Sequence, residues 1–231
     1  MKILRILTLL LLSFSVIARM SADELLQVAD KFRSPYQYAQ LDIRIDDFKN
    51  GTIKKSRNYK VYHQDGQSLV DVLDGADKGN RVLLSNKGMY VAPKRSSRAV
   101  RITPIQRLLG QASYGDLAGL KFSKNYTPSI IEEKDDVTVL ELIAKKSSAT
   151  YHKIILSIAN DNQRPVDAKA YLVSGKLYKQ MQYDVEGELL KTITYKGKNK
   201  NKRTIMTFLS VKDKKIPKRL LTSRGMRNAI R

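Results

Sequence analysis

The chain has 231 residues, a formal net charge of +21, no cysteine, and two histidines, His63 and His152. Without cysteine there is no disulfide framework, thiolate metal site or cysteine nucleophile, and two histidines cannot build a three-histidine zinc site. The length suits one substantial β domain, and no low-complexity linker divides it.

In chain order, residues 1–18 read as a secretory signal. Lys2 and Arg5 precede the apolar run 6–17, and Val16-Ile17-Ala18 supplies small residues at the cleavage position. The run is short for a bilayer span, which needs roughly 17 to 25 residues. A cleaved signal, leaving a single domain over 19–231, is therefore expected. No cysteine is available as a lipid anchor, so the mature chain is expected free outside the cytoplasm, in the periplasm of a Gram-negative cell.

Ser21-Ala22-Asp23-Glu24 matches a capping box. Leu25, Leu26, Val28, Ala29 and Phe32 continue it as an amphipathic helix that stops before Pro35. From Gln37 the period becomes two, with Ala39, Leu41, Ile43 and Ile45 alternating with polar residues as in a half-buried strand. Asn50-Gly51 suits a type I′ turn into a return strand over 52–64. Turn residues then separate strands predicted at 68–73, 81–85, 89–92, 129–134, 137–144, 151–158, 165–172, 177–185, 189–195 and 204–211. Such regular spacing predicts an antiparallel meander that curls toward a barrel. Residues 94–98 read as a polar loop and 196–203 as a long basic hairpin turn.

One stretch, 103–126, breaks the strand pattern. Pro104 suits a first helical position, and Ile105, Leu108 and Leu109 fall at i, i+3 and i+4. Gly110 would end that turn, and Ser113, three residues before Asp116, would start a second short helix. Two short helices here would either plug one end of the barrel or form a lid over an apolar interior.

No catalytic set is present: a G-x-S-x-G elbow, an H-E-x-x-H helix, a phosphate loop and a dinucleotide fingerprint are all missing. Both histidines sit in predicted strands as packing or surface residues. Glu132-Glu133 and Asp135-Asp136 flank a turn, where adjacent strand residues point to opposite faces and cannot converge as acid and base. Tyr36, Tyr38, Tyr59 and Tyr62 are accounted for by cross-strand packing. The expectation is a protein that is not an enzyme and needs no cofactor or metal.

The N-terminal amphipathic helix, the run of strands, the central Leu108-Leu109-Gly110-Gln111-Ala112-Ser113-Tyr114-Gly115-Asp116-Leu117-Ala118 followed by Tyr126, and a meander containing Gly175-Lys176-Leu177 together resemble the outer-membrane lipoprotein-sorting protein family, LolA-like, in a branch of unassigned role. The resemblance implies an incomplete antiparallel β-barrel, mainly β with helices, covered by an N-terminal helix and a central helical lid. It also implies a periplasmic carrier that holds acyl chains of a lipoprotein or lipid for transfer toward the outer membrane, with an inner-membrane transporter as a further partner. In family carriers an arginine on an early strand helps hold the lid closed; Arg44 lies in a comparable region without a matching motif.

Alternation assigns the cavity lining to Leu41, Ile43, Ile45, Leu140, Leu142, Leu156 and Leu172, and the lid to Ile105, Leu108 and Leu109. Charge supplies the alternative. Residues 176–231 carry sixteen Lys and Arg against Asp184, Glu186, Glu188 and Asp213, a net of +12. Behind a signal peptide that charge points to an anionic membrane surface rather than nucleic acid, so a monomeric accessory module docking on an envelope transporter or membrane is the competing reading. An open cavity favours the carrier, and an interior filled by its own side chains favours the module.

Overall fold

A computed structural model describes residues 19–96 and 98–228; the predicted signal, residues 1–18, lies outside them. Helix α1 (Ala22–Arg33) begins as its sequence dictates. The Ser21 hydroxyl accepts from the Glu24 amide at 3.3 Å, and the Glu24 carboxylate accepts from the Ser21 amide at 2.8 Å. Strands β1 (Tyr38–Lys49) and β2 (Thr52–Gln64) form a hairpin about Asn50 and Gly51, whose φ values of 52° and 79° are those a type I′ turn requires.

The meander continues through β3 (Gln67–Val72), β4 (Arg81–Ser85), β5 (Gly88–Ala92) and β6 (Val100–Ile102), the last not anticipated from sequence. After the central segment it resumes with β9 (Tyr126–Glu133), β10 (Val137–Ala144), β11 (Lys153–Ala159), β12 (Pro165–Tyr171), β13 (Leu177–Glu186), β14 (Leu189–Lys196) and β15 (Lys202–Asp213). Thirteen strands make one antiparallel sheet in the order β6-β5-β4-β3-β2-β1-β15-β14-β13-β12-β11-β10-β9. Among the described residues, only the β1–β15 pairing joins strands distant in sequence, and it unites the two halves of the sheet. The sheet does not close: β6, three residues long, and β9, which carries Pro128, remain as edges, both features that blunt an edge.

The central segment corrects the sequence reading in its first half. Residues 107–113 form a small hairpin, β7 (Arg107–Leu109) and β8 (Ala112–Ser113), with Leu109 opposite Ala112. Gly110, at φ 57°, makes a tight reversal in place of the expected helical turn. The second half is helical as expected: α2 (Tyr114–Ala118) starts at Ser113, with Asp116 completing a capping box. The central segment is thus a hairpin followed by one helical turn.

Helix α1 lies against β9 and β14, while α2 lies against β2, β3 and β4, so the helices cover different parts of one face. Strand alternation sends Val61, Val70 and Val82 to this inner face and Tyr62, Leu69 and Leu83 to the outer one. There the C-terminal chain folds back, burying Ile216, Leu220, Leu221 and Met226 against Tyr62, Leu69, Leu83 and Ala92. This segment therefore covers β2 to β5 on the outer face.

Candidate functional site

The inner face is aliphatic. Leu41, Ile43 and Ile45 on β1, Leu140 and Leu142 on β10, and Leu156 on β11 are all fully buried in one continuous core. Ile105, Leu108 and Leu109 are half-buried and packed against that core from the central segment. Leu172 is placed differently: it sits half-buried just after β12, in the turn toward β13, outside this core.

A buried polar network fixes the central segment to the sheet. Lys179, on β13, points inward in phase with Met181, and its ammonium donates to the Asp116 carboxylate and to the Gln111 carbonyl, both at 2.6 Å. The other Asp116 oxygen accepts from the Tyr151 hydroxyl at 2.6 Å, and the Ser113 amide and hydroxyl donate to the first at 2.7 and 2.8 Å. The rings of Tyr195, Tyr151 and Tyr178 surround the ammonium, with centroids 5.0 to 5.4 Å away. Burial alone would raise the Asp116 pKa, but the Lys179 charge and the donated hydrogen bonds hold it below the ordinary carboxylate value. Burial and the Asp116 charge push the Tyr151 phenol well above its usual value, so it stays a donor.

A second tether runs from α2 to β2 and β3. The Ser68 hydroxyl donates to the Ala118 carbonyl at 2.6 Å, which leaves its oxygen to accept from His63 Nδ1 at 3.0 Å. Burial, with Lys121, Lys124 and Arg33 nearby, lowers the His63 pKa to about 4, so the imidazole is neutral and structural. Arg44, in contrast, is exposed and pairs with Asp46 at 2.9 Å; among the described residues the buried cations are Lys179 and Arg33. Among the described residues no group of three or more His, Asp or Glu is placed to hold a metal, and no helix is long and apolar enough to cross a membrane. Glu132 pairs with Lys134 at 3.2 Å and Glu133 with Arg19 at 2.5 Å, as solvated charges would.

The inner side retains a small cavity of about 20 Å³ between the end of α1, α2, the 119–126 loop, β13 and β14, enough for one water. Its lining includes Arg33, Lys121, Phe122, Asn125, Tyr126 and Tyr183, and none of the ten aliphatic residues expected to line a site. Arg33 is 4% exposed, its guanidinium stacks 4.4 Å from the Phe122 ring centroid, and its Nε and Nη1 are buried without a hydrogen-bond partner. Beside it, Asp30 accepts from the Phe122 and Ser123 amides at 2.7 and 2.9 Å; burial raises its pKa against those bonds. These charged residues carry a sequence signal: Asp30 and Arg33 share the helix face of Leu26 and Ala29, and Lys179 occupies the inward phase of β13.

Known proteins place the fold. A LolA superfamily protein from Nitrosomonas europaea is similar over 88% of this chain and 98% of its own, at 26% identity and a TM-score of 0.80. A DUF1329 family protein from Desulfovibrio piger covers 87% and 97% at 17% identity and a TM-score of 0.67. A domain from Vibrio parahaemolyticus described as outer membrane lipoprotein-sorting covers 81% and 91% at 18% identity and a TM-score of 0.60. A search of curated proteins finds no match. The model of a family described as uncharacterized protein matches residues 64–228. The chain belongs to that family, and its fold is the one shared by the LolA superfamily and the outer-membrane lipoprotein-sorting proteins.

Proposed function

We propose that the protein is a non-enzymatic periplasmic carrier that takes the acyl chains of a lipoprotein or lipid between its inner sheet face and the central segment, for transfer toward the outer membrane. The supporting observation is that a wide aliphatic face, including Leu41, Ile43, Ile45, Leu140, Leu142 and Leu156, is covered by α1, a five-residue helix, a short hairpin and the loops that carry Leu120 and Tyr151, with no further layer of regular structure among the described residues. Each methylene moved from water onto such a face contributes about 0.8 kcal/mol. A cavity of about 20 Å³ cannot hold an acyl chain, so uptake requires the hairpin and α2 to swing away. Leu108 and Leu109 would then exchange their contacts with the core for contacts with the ligand. The side-chain-filled interior favours a second reading, in which the chain docks on an anionic membrane or transporter through its basic face and carries nothing.

Native mass spectrometry with lipid extraction, on protein purified from the periplasm, separates the two. A co-purifying acylated species near one-to-one supports the carrier, and Leu108→Asp should then lose it. Ligand-free protein that binds anionic vesicles in a salt-sensitive way, with Leu108→Asp indistinguishable from wild type, would replace the carrier with the docking module.

A further inference from the structure

We infer that Arg33 anchors a binding site for a single oxyanion, a phosphate or carboxylate, at the mouth of the inner cavity. The guanidinium is nine-tenths buried or more, lines the cavity, and leaves Nε and Nη1 without partners. A buried charge with unmade hydrogen bonds is costly, and the Phe122 ring beneath it satisfies the face of the group but none of its N–H donors. No carboxylate fills those donors: Asp116 is neutralised by Lys179, and Asp30, which interacts with the Arg33 charge through space, gives both its oxygens to backbone amides. The end of α1 also favours a cation there, which explains the charge but not the two unmade bonds.

The rest of the rim suits an anion. Lys121 and Asn125, both half-exposed, line the same cavity and supply a second cation and an amide within reach of solvent, while Tyr126 and Ile193, which also line it, are buried. The closed cavity admits one water, so a carboxylate or phosphate enters only as Lys121 and Asn125 move aside; it then meets one edge of the Arg33 guanidinium, where Nη2 together with Nε or Nη1 matches two of its oxygens. A lipid whose anionic head sat here would direct its chains along the aliphatic face. For that lipid form the inference rests on the carrier reading; for a free anion it does not.

The test compares three soluble probes on purified protein: inorganic phosphate, dioctanoyl phosphatidate and the uncharged dioctanoylglycerol. Wild type is expected to bind phosphatidate at least about tenfold more tightly than the glyceride, and Arg33→Gln to erase that preference. Phosphate alone should shift the amide resonances of Phe122 and Ser123. Equal affinity for both lipids, with no effect of phosphate at those amides, would overturn the anion site while leaving the carrier standing. Phosphate binding that depends on Arg33, with neither lipid bound, would keep the site, assign it to a free anion and remove the carrier. Should Arg33→Gln fail to fold, the wild-type phosphate titration decides, since unshifted Phe122 and Ser123 signals contradict the site on their own.

Discussion

At the scale of single residues, the Asp116–Lys179 pair is the strongest constraint on the central segment. A buried pair contributes little net stability over apolar replacements, but removing one partner strands the other charge. Lys179→Met or Asp116→Asn should therefore each cost about 3 to 5 kcal/mol. The double variant should cost less than the two added together, as contacting residues do. Denaturant unfolding of the three variants measures this, and additive losses would mean the charges do not act as a pair. His63 makes a separate prediction. Its folded pKa, about 4, lies below the ordinary 6.5, so the unfolded chain binds the extra proton first. Its contribution is whole above about pH 6.5 and is lost as the pH falls toward 4, by roughly 3 kcal/mol in total. His63→Gln should flatten the stability curve across that window, and an unchanged slope would place the titration elsewhere. Lys179 could be read as inward from its phase with Met181 and Tyr183, but its partner, 63 residues away, could not.

At the scale of elements, local rules were legible wherever the signal was local. The capping boxes at Ser21 and Ser113, the Asn50-Gly51 turn and the strand alternation each involve residues a few positions apart, and the structure follows them. The hairpin at 107–113 was not legible, because Ile105, Leu108 and Leu109 have helical spacing, and what decides against it is a partner outside the segment. The Gln111 amide donates to the Thr204 hydroxyl at 2.8 Å, and that hydroxyl donates to Asp47 at 3.0 Å, docking the turn onto β1 and β15. A methyl group on Gly110 would fall 2.2 Å from both the Thr204 and Asp47 side-chain oxygens, at a backbone angle that side chains disfavour. Gly110→Ala should thus cost about 1 to 3 kcal/mol and loosen the hairpin before the sheet. Hydrogen exchange at Leu109 and Ala112 reads that loosening, and wild-type protection there would contradict it.

At the scale of the whole molecule, the meander was legible but its joining was not. Alternation says which residues share a face, whereas the β1–β15 pairing depends on two strands separated by most of the chain. The path of the C-terminal segment was equally hidden, since four apolar residues scattered among basic ones show neither helical nor strand period. The structure separates the two properties of that segment. Ile216, Leu220, Leu221 and Met226 are buried on the outer face, the Ile216 amide donates to Gln64, and Arg81, paired with Asp71 at 2.7 Å, donates to the Met226 and Asn228 carbonyls. Lys218 and Arg219, between them, are exposed. Stability and surface charge should consequently respond to different substitutions. Leu220→Ala removes a fully buried side chain and should cost about 2 to 5 kcal/mol in denaturant unfolding. Lys218→Gln with Arg219→Gln should change stability by no more than about 0.5 kcal/mol. If this face meets anionic membrane, the same charge pair should weaken vesicle binding by about 1 kcal/mol for each residue lost, more at low salt than at high. Unaltered vesicle binding in that variant would mean that the basic C-terminal surface is a solvated cover for β2 to β5, and that any docking occurs elsewhere on the sheet.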